Sequence, residues 1–111
     1  MKEEELNRLF QDEAKNREEK AKEKCGRSYK GRFQKMANEE GAIKAAIRLI
    51  NKKNPSEGLT KLFDCERKYQ SARELSIEKI YIEFAEKYSQ EFPDSFPSEV
   101  VEKAKRKLGL M

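Results

Sequence analysis

The chain has 111 residues, of which 41% are charged and 36% hydrophobic, with no histidine and a formal net charge of +4. That length suits one domain with a modest core, and the lack of histidine removes the commonest general base and metal ligand. No run approaches the roughly 20 apolar residues of a membrane span, and the opening Met1-Lys2-Glu3-Glu4-Glu5-Leu6 has no apolar leader core, so a cytoplasmic protein is expected, with no membrane partner.

From Glu3 to Lys24 neither Pro nor Gly interrupts a run of strong helix formers. One long, highly charged helix is predicted over residues 1–24, as a unit apart from a compact helical domain over 25–111. Its apolar positions are Leu6, Leu9, Phe10, Ala14 and Ala21, so it docks through its N-terminal half or projects. Cys25-Gly26 ends it, because Gly tolerates the left-handed conformation that follows a helix. A basic stretch follows, then a short helix from Phe33 to Glu40 stopped by Gly41. The next helix is the clearest, with Ala42, Ile43, Ala45, Ala46, Ile47, Leu49 and Ile50 on one broad face and Lys44, Arg48 and Lys52 opposite.

Lys53-Asn54-Pro55 breaks that pattern. Ser56 is placed to cap a helix carrying Leu59, Leu62, Phe63 and Cys65 and running to about Gln70. Ser76 caps another, with Ile77, Ile80, Tyr81, Phe84, Ala85 and Tyr88 at helical spacing; Ile80-Tyr81-Ile82 is also compatible with a strand. Phe92 to Pro97 reads as a loop with two aromatic plugs. A last helix from Pro97 or Ser98 buries Val100, Val101, Ala104 and Leu108, and Lys103, Lys105, Arg106 and Lys107 load its negative dipole end before Gly109 stops it. The fold class is all-α: a single compact bundle of five or six short helices plus the longer charged one.

Positive charge is concentrated in the middle of the chain. Residues 1–24 hold seven basic and eight acidic side chains, residues 25–70 eleven and five, and residues 71–111 seven and eight. An anionic partner is one reading of that excess and a solvated surface the other. Within Cys25 to Phe33, two glycines, two arginines, a lysine and two aromatics occur in nine residues. Cations can neutralise phosphates there while Tyr29 stacks on a base, or the stretch is a connector anchored by Phe33. Binding residues expected on this basis are Arg27, Tyr29, Lys30, Arg32, Lys35, Lys52 and Lys53. Ser56-Glu57-Gly58 fits either a phosphate-binding helix start or plain capping.

The two cysteines, Cys25 and Cys65, are too few for a disulfide framework and are expected as reduced thiols. Cys65 reads as a small hydrophobe in a helix interface and Cys25 as more exposed. Asp64 and Asp94, the two aspartates after the first helix, have no partner motif. No catalytic residue, cofactor or metal is therefore expected.

The run Phe33-x-x-Met36, Gly41-x3-Ala45-Ala46-x2-Leu49-Ile50, Pro55-Ser56-x-Gly58-Leu59-x2-Leu62-Phe63 and Leu75-Ser76-x-Glu78 resembles an uncharacterised family of small all-helical bacterial and phage domains. The resemblance covers roughly residues 25 to 109. Leu59 stands where that family favours an aromatic, Phe63 where it favours Trp, and extra residues separate Cys65 from Leu75. The resemblance implies a helical fold and a loose association with restriction and other defence loci, with no activity attached. The expected function is a non-enzymatic interaction module of a prokaryotic defence or mobile-element system that contacts nucleic acid. The alternative is a phage-type protein inhibitor or adaptor, anti-CRISPR-like in mode, that binds a protein of a nucleic-acid-targeting system through the first helix and the Phe92 to Phe96 loop. A monomer or weak homodimer is expected, since the stripe on the first helix is too short for a sustained heptad seam.

Overall fold

In the computed structural model, which describes residues 1–26, 32–53 and 57–110, uninterrupted helix formers give one helix from the start of the chain, α1 (Glu3–Cys25). Glu3, Glu4 and Glu5 in its first turn and Lys22 and Lys24 in its last complement the helix dipole. Gly26 closes it with φ 69°, its amide donating to the Lys22 carbonyl at 3.0 Å. The remaining helices are α2 (Arg32–Glu40), α3 (Ala42–Asn51), α4 (Glu57–Cys65), α5 (Ile77–Tyr88) and α6 (Ser98–Lys107). Two 3-10 turns, Ala72–Leu75 and Pro93–Ser95, lie before and after α5. The described residues are all-helical and contain no strand.

The main core joins Leu6, Phe10 and Ala14 of α1 to the apolar faces of α2, α3, α5 and α6. Phe10 sits at its centre, edge-on to Phe84 with ring centroids 4.9 Å apart and 6.1 Å from Phe33. A smaller second core gathers Ala21, Leu62, Cys65, Ala72 and Leu75, with Cys25 and Tyr69 against it. Buried positions on α1 therefore run through Leu6, Phe10, Ala14, Glu18 and Ala21, so it docks along nearly its whole length and not through its N-terminal half alone. Of the late positions, Ala21 is one of the apolar residues of the sequence pattern, whereas Glu18 escapes a hydropathy reading because it is a buried charged residue.

Ile80, Tyr81 and Ile82 are all buried and all on α5. Ser76 caps that helix as expected, its Oγ accepting the Lys79 amide at 3.0 Å. Helix α4 stops at Cys65, not at Gln70. The amides of Lys68 and Tyr69 both turn back to the Cys65 carbonyl, and the chain leaves through a tight turn into the first 3-10 turn. Glu66, Arg67 and Lys68 carry no apolar group that would hold another helical turn on the core. Two expectations, the break at Pro55 and the cap at Ser56, fall outside the described residues.

The cysteines differ most from expectation. Cys25 and Cys65 are bonded as a disulfide with Cα atoms 5.6 Å apart, and neither is a free thiol. A 40-residue separation gave no sequence signal for the pair; only the packing of α1 beside α4 brings the two helix ends together.

Candidate nucleic-acid interface

Helix α3 is the pivot of the charged surface because its two sides are so unlike. Ala42, Ile43, Ala45, Ala46, Leu49 and Ile50 are buried, while Lys44, Arg48, Asn51 and Lys52 are exposed. Lys44, Arg48 and Lys52 recur every four residues and form one row along the helix. Arg48 is turned to Glu40 at 2.8 Å, so its charge is balanced locally.

Helix α6 lies beside α3 and carries a second row at the same spacing. Its buried stripe of Val100, Ala104 and Leu108 leaves Lys103 and Lys107 on the flank that meets α3. Lys103 Nζ donates to Asn51 Oδ1 at 3.2 Å, and Lys107 Nζ donates to the Leu49 carbonyl at 3.2 Å. Both ammonium groups are thus held at the C-terminal end of α3, where the dipole and the unpaired carbonyls favour cations. Lys52 follows α3 directly, and its charge and that of Lys103 both act on Lys107.

The hydrogen-bond partners of Lys103 and Lys107 are neutral oxygens. Arg17, Arg48, Arg73 and Arg106 each meet a carboxylate within 4 Å, but among the described residues Lys52, Lys103 and Lys107 have none that near. Arg17 is the extreme case, its guanidinium divided among Glu13, Glu83 and the Glu74 carbonyl. Partial burial lowers the Lys107 pKa, Lys103 and Lys52 push it the same way, and the Glu78 carboxylate opposes them.

Glu78 lies beneath this cluster, 1% exposed, at the start of α5. Burial raises its pKa; a bond to its own amide and the charge of Lys107 pull it back. Its Oε2 has no hydrogen-bond partner.

Of the residues expected to bind, Lys52 and Lys53 are exposed at the end of α3 and Lys35 is exposed on α2. No hydrogen bond or ion pair joins Lys35 to the other two. Arg27, Tyr29 and Lys30 lie outside the described residues, as does the side chain of Arg32, whose backbone opens α2. The structure adds Lys103 and Lys107, whose place in the sequence pattern is only to complete the helix dipole. Their four-residue spacing beside Ala104 was visible, but nothing in the sequence says that this flank faces α3.

Large apolar side chains are missing from this face. The exposed ones among the described residues are Met1, Leu9 and Leu110, and every described phenylalanine and tyrosine is buried or half-buried. Two surface grooves of about 290 and 370 Å³ flank the first 3-10 turn; neither is lined by Lys52, Lys103 or Lys107. Among the described residues no three His, Cys, Asp or Glu side chains group as metal ligands, and no helix is long and apolar enough to cross a membrane. No protein-family model, curated protein or solved structure matches the chain.

Proposed function

We propose that this chain is a non-enzymatic binding module that grips the phosphate backbone of nucleic acid through the joined faces of α3 and α6, as part of a prokaryotic defence or mobile-element system. The observation that carries the reading is the placing of Lys103 and Lys107 at the end of α3, close to Lys52, with both hydrogen-bonded to neutral oxygens. Lysine ammonium groups act as point charges and suit phosphate better than base edges. Among the described residues no exposed aromatic ring lies beside them, so these cations contact backbone and not the faces of bases.

The defence association rests on the family resemblance, and the binding chemistry rests on the lysines. An electrophoretic shift of a mixed-sequence 20-base-pair duplex in low salt tests the latter. Retardation that inorganic polyphosphate competes away supports the reading. A duplex that runs free at every protein concentration removes it.

A further inference from the structure

The bond between Cys25 and Cys65 joins the last residue of α1 to the last residue of α4. Among the described residues, the apolar burial between those two helix ends is small. Up to Arg17, α1 is anchored by Leu6, Phe10 and Ala14 in the main core and by the Arg17 bonds to Glu83 and the Glu74 carbonyl. Beyond Arg17 it buries only Glu18 and Ala21 before reaching Cys25. The second core that receives this stretch contains two alanines and a cysteine among its five buried residues, so it offers little apolar area. Tyr69 lies against it beneath the ammonium groups of Lys20 and Lys24, each 5.9 Å from the ring centre. The Cα separation of 5.6 Å falls where unforced disulfides cluster.

We propose that Cys25–Cys65 is a redox latch: closed, it pins the last two turns of α1 to α4, and opened by a dithiol reductant it releases them while the main core stays folded. Cys65 is only 7% exposed and Cys25 is half-buried at a helix end, so the Cys25 sulfur is the one a dithiol reaches. A reductant thiolate attacks that sulfur, the S–S bond breaks, and Cys65 leaves as a thiolate that takes up a proton. The second reductant thiol then displaces Cys25, which leaves as a thiolate and is protonated in turn. Two electrons and two protons have passed to the protein, and the reductant departs as its own disulfide. Opening uncovers Ala21, Leu62 and Leu75, a surface the oxidised chain hides. The inference stands apart from phosphate binding, because the α3 and α6 face belongs to the main core.

Amide hydrogen exchange on the full chain, oxidised with diamide or reduced with dithiothreitol, tests the latch. The expected result is exchange at least about tenfold faster over residues 18–26 and 57–66 on reduction, with α3 and α5 unchanged. A Cys65→Ser chain without reductant should reproduce the reduced pattern. Equal protection in both states would overturn the proposal. So would loss of protection throughout α3 and α5, which would make the bond a staple for the whole fold, or two alkylatable thiols remaining after diamide.

Discussion

Glu78 shows how one side chain can be read correctly in its local role and missed in its energetic one. It is legible as the acidic residue of the Leu-Ser-x-Glu helix start, where a negative charge suits the first turn. That it is almost fully enclosed, with one oxygen unpartnered, follows from α6 closing over α5, which no local pattern encodes. Burial raises its pKa above the ordinary carboxylate value, and the sign of the consequence is fixed. Well below that ordinary value the group is protonated in both folded and unfolded chains and its burial is harmless. As pH rises, the unfolded chain loses the proton first, and stability falls until the folded pKa is passed. Glu78→Gln removes this dependence, so its melting temperature relative to the native chain should rise between pH 4 and pH 7. Thermal scans at the two pH values check it, and an equal difference at both would show that the buried carboxyl carries no linkage.

Among the elements, those with long periodic apolar faces were legible, and those set by contacts across the chain were not. Helix α3 and the Ser76 start of α5 emerge from periodicity and capping alone, because those signals lie within a few residues. The disulfide depends on which helix lies alongside, and so does the cap of α3. That helix follows Gly41, whose φ of 98° excludes ordinary capping geometry, and it has no side-chain cap of its own. Instead Asn7 of α1 supplies one from 36 residues away, its Oδ1 accepting the Ile43 amide at 2.9 Å. The same side chain donates from Nδ2 to the Glu3 carbonyl at 3.1 Å. Asn7→Ala should therefore destabilise the fold by about 1 kcal/mol, the cost of a lost helix cap. Urea unfolding measures this. An unchanged midpoint would mean that water replaces the cap without loss.

For the whole molecule, the radius of gyration of 13.1 Å matches the roughly 13 Å expected of a folded chain this long. Long helices could be anticipated because the chain divides its residues cleanly between apolar faces and charged ones. The site was legible only in part. The central excess of positive charge points to Lys52 and Lys53, but two of the three converging cations come from α6, within residues 71–111, which hold seven basic and eight acidic side chains. Segment counts average over a helix, whereas a surface selects one flank of it. Lys103 and Lys107 are thus invisible to composition and plain once α6 is set beside α3.

Phosphate contact by those lysines is tested most directly by the salt dependence of binding. Each phosphate neutralised on duplex DNA contributes about −0.9 to the slope of log affinity against log salt. Replacing Lys52 and Lys103 together by Gln should flatten that slope by about 1.8 and weaken binding uniformly across duplex sequences. Both residues are exposed, so the fold should be retained. Fluorescence anisotropy of a labelled duplex across a series of salt concentrations gives both slopes. A variant whose slope equals that of the native chain would contradict the claim that these side chains meet phosphate.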